Sequence, residues 1–212
     1  MVFSHVDSKQ VPLEVKLNSL FNNKKGGFFI ELGANDGLFQ SNTAFLEKEM
    51  NWTGILIEPS FKGYESCIKN RTNSVCLNYA CVSNEYVSPY IYGDFIENNA
   101  MGSINGERLH SQNLTCVKAI TLEKVLDEQK CGHIDFLSLD TEGYELNILK
   151  GLNLDKYRPD YMLIEIYSNE YASIANFLHD KNYKLLSNFT NYNIIDNPGW
   201  DGTHNDYLFV NM

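Results

Sequence analysis

Short apolar runs alternate along the chain with longer amphipathic segments. Residues 28–30 (Phe-Phe-Ile), 55–57 (Ile-Leu-Ile), 134–139 (Ile-Asp-Phe-Leu-Ser-Leu) and 161–166 (Tyr-Met-Leu-Ile-Glu-Ile) have the length and composition of buried strands. Residues 74–79 read as a further strand, and the segments 41–50, 61–71 and 171–181 read as helices. Another helix is expected from Thr121, an N-cap with Glu123 suited to the positive helix end, to about Lys130. A last one follows the 140–145 segment and stops at Gly151, read as a left-handed glycine past the helix end. Strand, helix, strand at this spacing implies right-handed crossovers and a mostly parallel sheet with helices on both faces. Residues 183–189 and 207–210 are expected to close the sheet as an antiparallel pair, making seven strands in an α/β fold.

The remaining segments are less regular. Residues 13–21 form a helix with a partial stripe of Val15, Leu17, Leu20 and Phe21, expected to be a lid or packing element within an N-terminal 1–25 segment. Residues 86–92 alternate like an exposed strand, 98–108 form a polar glycine-containing loop, and 115–120 read as another strand. The chain is expected to be one domain spanning 1–212, with 85–120 and 190–206 as its variable, substrate-side segments.

Composition removes several function classes. Seventeen basic against 27 acidic residues give a formal charge of -10 and a pI near 4.9, which disfavours capture of nucleic acid. No stretch has the length of a membrane span or the layout of a signal peptide. The five cysteines are odd in number and never spaced C-x-x-C, so reduced thiols in a cytoplasmic protein are expected. The sequons at Asn51, Asn70, Asn113 and Asn188 would matter only in a secreted chain.

The chemistry begins where the first strand ends. Gly33 and Gly37 flank Ala34-Asn35-Asp36 and permit a backbone turn that a ligand can approach closely. A dinucleotide fingerprint would carry a glycine where Asn35 stands. Glu58 lies 21 residues beyond Gly37 at the end of the second strand, where a carboxylate can take both hydroxyls of a ribose. Glu58 alone also admits NAD. Ligands of open parallel sheets bind beyond the carboxyl ends of the strands. The residues expected there, Glu31, Gly33, Asn35, Glu58, Ala80, Cys81, Asp140, Glu142 and Glu165, make an acidic crevice suited to a cation.

The pattern E-x-G-x-N-x-G from Glu31 to Gly37 resembles motif I of class I S-adenosylmethionine (SAM) methyltransferases, whose Rossmann-like sheet matches the expected one. With SNTAFLE, WTGILIEP and IDFLSLDTEGYELNILKGL, it resembles the FkbM-type SAM-dependent methyltransferase family over about 21–151. The family pattern S-x-D-x-E-G-x-E falls on Ser138, Asp140, Glu142, Gly143 and Glu145. The resemblance implies SAM as cofactor, held by Glu31, Gly33, Ala34, Asn35, Gly37, Ser41, Asn42, Glu58, Pro59, Ser60, Ala80, Ser103, Asp140 and Glu142. Ser103 belongs to Met101-Gly102-Ser103, a small-residue loop over the cofactor or substrate. The resemblance also implies O-methylation of a sugar or glycan hydroxyl, a deoxyhexose such as rhamnose among them, or alternatively of a non-sugar small-molecule hydroxyl, with Asp140, helped by Glu165 or His204, as the expected proton acceptor. Tyr86, Tyr90, Tyr92, Tyr167, Tyr192 and Trp200 are candidates for stacking on the sugar ring. Related sugar and macrolide enzymes hold Mg²⁺ with carboxylates matching Asp140 and Glu165. Because Ile166 follows Glu165, that pair makes a thin site and a metal is not favoured. The Asn- and Tyr-rich, acidic character is similar to that of proteins of large DNA viruses, which would place the chain in a host cytoplasm. It leaves open that the chain is one part of a larger multidomain glycan-modifying protein.

Overall fold

The computed structural model describes residues 2–95, 102–104 and 114–212; Met101, Asn113 and most of the expected 98–108 loop lie outside them. In chain order the elements are α1 (Leu13–Leu20), β1 (Phe28–Leu32), α2 (Ala44–Met50), β2 (Thr53–Ile57), α3 (Phe61–Asn70), β3 (Val75–Leu77), β4 (Ala80–Val82), β5 (Tyr90–Gly93), β6 (Thr115–Thr121), α4 (Leu122–Glu128), β7 (Phe136–Leu139), α5 (Glu145–Lys150), β8 (Tyr161–Tyr167), α6 (Tyr171–Asp180), β9 (Tyr183–Asn188) and β10 (His204–Asn211). Seven strands form one sheet in the order β3-β2-β1-β7-β8-β10-β9. The first five run parallel, and β10 is antiparallel to both β8 and β9. This is the mostly parallel, Rossmann-like seven-stranded sheet expected, with its reversed strand near the C-terminus.

Alternation along β1 divides the core. Ile30 and Leu32 pack with Leu122, Val125 and Leu126 of α4, Ile148 and Leu149 of α5, and Ile174 and Leu178 of α6. Phe29, one residue out of phase, packs with Leu13 and Leu17 of α1, Leu46 and Met50 of α2, and Cys67 of α3. Eight-residue α1 is too short to be stable alone, so docking holds it. Leu13 and Leu17 are both fully buried, worth about 2 kcal/mol each as an upper figure. The helix packs on the Phe29 side of the sheet.

Thr121 caps α4 as expected, its hydroxyl accepting from the Lys124 N–H at 3.3 Å. Three expectations need correction. The strand expected over 74–79 stops at Leu77, and Ala80 opens β4, which pairs with β6 in a separate three-stranded sheet β4-β6-β5. Of the expected 86–92 strand, only the end is extended, as β5. Gly151 has φ of -93°, not the left-handed value expected. Its side of the backbone instead abuts the Val82 carbonyl, into which any Cβ would collide.

Candidate active site

The carboxyl ends of the parallel strands open into a cavity of about 600 Å³. Its first wall is a backbone structure. Gly33, Asn35 and Gly37 all have positive φ (78°, 48° and 81°), so the chain after β1 reverses tightly. A Cβ on Gly33 would collide with the Asp140 carbonyl oxygen, which leaves glycine as the only fit. The Gly33 and Ala34 N–H groups donate to the Ile57 carbonyl at 3.1 and 3.3 Å, tying this turn to the end of β2.

Glu58 completes that wall. Its Oε2 accepts from the Asn35 N–H at 2.8 Å and its Oε1 from the Ser60 N–H at 2.7 Å. Burial pushes its carboxyl up to about 7, against the opposing pull of those two N–H groups. Each oxygen retains a lone pair for a ligand hydroxyl. Ser60 then starts α3, its side chain accepting from the Gly63 N–H at 3.4 Å.

The opposite wall is made of carboxylates. Asp140 follows β7, Glu142 is carried on a left-handed residue (φ 58°), and Glu165 sits near the tip of β8. Oxygens of these three side chains lie within 4.8 Å of one another. The β8–β10 register sets Asp206 opposite Glu165 and His204 opposite Tyr167. His204 Nε2 thereby stands 3.3 Å from Glu165 Oε1, whereas Glu165 Oε2 is buried with no hydrogen-bond partner among the described residues. Tyr167 donates its hydroxyl to Glu142 Oε2 at 2.7 Å, and the Trp200 indole N–H donates to the His204 carbonyl at 3.0 Å.

Burial and crowding both act on this wall. Glu165 is held well above the usual carboxylate range by burial and then by the charges of Asp140, Glu142, Asp206 and Glu145. Burial, followed by Asp140, pushes Asp206 up to about 7. Fully buried Glu145 also rises to about 7, chiefly through burial. Its Oε1 accepts from the Thr141 N–H, the Thr141 hydroxyl and the Gly143 N–H at 2.8, 2.9 and 3.2 Å, which shapes the loop bearing Asp140 and Glu142.

Of the residues expected at the site, the structure brings Gly33, Asn35, Glu58, Pro59, Ser60, Ala80, Cys81, Asp140, Glu142, Glu165 and His204 to this cavity. Glu31, Ala34, Gly37, Ser41, Asn42 and Ser103 do not line it. Glu31 points to the Phe29 side of the sheet, where Ser41, the Asn42 N–H and Thr43 donate to it and Arg71 pairs with it at 3.3 Å. Its carboxylate is occupied by the protein and supports the glycine turn from behind. Arg71, fully buried, also pairs with Glu47 at 2.9 Å and donates to the Gly37 carbonyl at 3.0 Å. Ser103 is buried, while its neighbours Gly102 and Ile104 face the cavity.

None of the six aromatic residues expected to stack on a sugar lines the cavity; Phe39, Tyr79, Phe95 and Tyr144 do. Tyr90 and Tyr92 face outward from β5, Tyr192 donates to the Val6 carbonyl, and Tyr167 and Trp200 hold Glu142 and the His204 backbone. His5 and Gln40 also reach the cavity from segments where no sequence signal marks them. Glu145 was visible as the last position of the family pattern, whereas Asp206 has no local signal at all.

Two solved structures have the same fold. Precorrin-6y C5,15-methyltransferase from Geobacter metallireducens GS-15 aligns at a TM-score of 0.51 and 10% identity, covering 93% of this chain and 87% of that one. The METTL16 MTase domain aligns at 0.52 and 11% identity, covering 94% of this chain and 66% of that one. No curated protein sequence matches. No helix among the described residues is long and apolar enough to cross a membrane. The family model of the methyltransferase FkbM domain matches residues 31–185, from the glycine turn to β9, and the chain belongs to that methyltransferase family.

Proposed function

We propose that the chain transfers the methyl group of SAM to a hydroxyl of a sugar or glycan. The observation that supports this most directly is the pairing, in one cavity, of a ribose-type carboxylate (Glu58) with a buried carboxylate carrying an unpartnered oxygen (Glu165). Membership of a methyltransferase family sets aside the nicotinamide reading that Glu58 alone left open.

In this reading the 33–37 turn and Glu58 take the nucleoside, and Asp140 and Glu142 answer the positive charge of the cofactor. The sulfonium already activates the methyl group, so the protein mainly aligns the acceptor oxygen with it. An alcohol does not ionise near neutral pH, and a positioned base contributes typically about 10²–10⁴-fold. Glu165 is assigned that role in preference to Asp140, because its raised proton affinity makes its ionised form the stronger base, His204 holds Oε1, and Oε2 remains to accept the proton. The test is methyl transfer from SAM to a panel of monosaccharides, glycans and non-sugar alcohols, alongside binding of S-adenosylhomocysteine (SAH). Asp140→Asn should weaken SAH binding about tenfold or more; unchanged binding with lost turnover would return the base role to Asp140. Transfer only to non-sugar alcohols would overturn the acceptor class.

One observation favours a second reading. Glu142 adds a third carboxylate to Asp140 and Glu165, and oxygens of all three lie close enough to share one hard cation. Such an ion would polarise the acceptor hydroxyl. Activity abolished by EDTA and restored by Mg²⁺ supports this reading, and full activity in EDTA removes it.

A further inference from the structure

The Cys67 and Cys76 sulfurs stand 3.3 Å apart, one buried on α3 and the other half-buried on the edge strand β3. Nothing in their spacing marks them as a pair. We propose that these two thiols are a reversible oxidation site whose closure to a disulfide shifts the glycine turn at the cavity.

The packing behind the turn carries the link. A Cβ on Gly37 would come 3.1 Å from the Cys67 sulfur, so the turn rests directly on that side chain. Arg71, on the same side of α3 and adjacent to the same glycine, donates to the Gly37 carbonyl. The first turn of α3 meanwhile lines the cavity through Lys62 and Gly63. Closing 3.3 Å to a disulfide of about 2.0 Å draws α3 and β3 together and moves what leans on Cys67.

Cys76 is the attacking group. The Cys67 thiol hydrogen-bonds to it and Arg71 adds positive charge, both lowering its pKa, while the Cys67 thiol is raised by that same bond and by burial. The Cys76 thiolate attacks a low-molecular-weight disulfide such as oxidised glutathione, forming a mixed disulfide and expelling one glutathione thiolate. The Cys67 thiol then gives its proton to solvent, and its sulfur displaces the second glutathione. Two protein thiols are oxidised and one glutathione disulfide is reduced to two thiols.

Exposed Cys116 supplies an internal control. The native chain is incubated with oxidised glutathione, mapped for cross-linked peptides by mass spectrometry, and followed by hydrogen exchange at the amides of 33–38. The expected result is a 67–76 cross-link in the wild type and in Cys116→Ser, none in Cys76→Ser, and exchange at the turn altered several-fold and reversed by dithiothreitol. Cys67 and Cys76 found as free thiols, by alkylation in denaturant, after Cys116 has reacted with glutathione would overturn the proposal. So would a cross-link that leaves exchange at the turn unchanged. Both readouts are independent of SAH, so a failure of the methyltransferase reading would be seen separately, as absent SAH binding in the reduced protein.

Discussion

The two walls of the cavity are built by opposite means. The glycine-turn wall is fixed by backbone: three positive φ values, N–H groups tied to Ile57 and Glu58, and a close approach at Gly33 that excludes any side chain. The carboxylate wall is fixed by side chains that repel one another, brought together by the pairing of β8 with β10 and the loop that Glu145 shapes. The first wall has one arrangement, set by steric exclusion. The second has an arrangement whose charge depends on protons and on what binds. Changes to the first should therefore damage folding and cofactor binding together, whereas changes to the second should separate chemistry from binding.

The largest expected effect comes from Gly33→Ala. The new methyl group meets the Asp140 carbonyl and a left-handed backbone that alanine adopts at a cost of about 1–2 kcal/mol. With the collision added, we expect a loss of about 4 kcal/mol or more in chemical denaturation, with no measurable SAH binding. A variant of normal stability that still binds SAH would mean the turn is adaptable, and the contrast between the walls would fail. Glu165→Gln, next in size, keeps the shape and removes the base. Turnover should fall by about 10²–10³ while SAH affinity changes less than about threefold. Equal losses in both would place Glu165 in cofactor binding.

The same contrast explains what could be read from the sequence. The glycine spacing and Glu58 are local: each stands at the end of an apolar run, and backbone geometry follows from residue type. Glu31 shows the limit of that reasoning. Its position two residues before Gly33 pointed to the ligand, but the phase of β1 places it with Phe29, and Arg71, 40 residues on, makes a buried carboxylate tolerable there. The carboxylate wall depends on register. Glu165 and His204 are 39 residues apart and meet only because β10 runs back along β8. Asp206 enters through the same pairing. The sugar-stacking aromatic residues failed for a related reason, because exposure on β5 and packing around His204 are tertiary facts that residue type does not carry.

A smaller effect probes the carboxylates without altering the backbone. Glu58, Glu145 and Asp206 ionise near 7 in the fold, against ordinary values of 4.5, 4.5 and 3.8. Between those limits the unfolded chain holds fewer protons than the folded one, so stability falls as pH rises and levels off above 7. From pH 6 to 8 each group costs the fold about 1 kcal/mol, and a chain of this size loses roughly 2–4 °C in Tm per kcal/mol. The apo Tm should thus be about 5 °C or more lower at pH 8 than at pH 6, as scanning calorimetry would read. Glu58→Gln removes one contribution from the backbone-built wall and should flatten the profile by its own share alone. Glu165→Gln should also flatten it, since it removes a carboxyl that burial and the charges of Asp140, Glu142, Asp206 and Glu145 hold well above the usual range. SAH, whose ammonium would face Asp140 and Glu142, should flatten the profile further by favouring the ionised carboxylates. If SAH left the slope intact while raising Tm equally at both pH values, its charge would not be felt by this wall, and the cofactor would have to lie against the glycine turn alone.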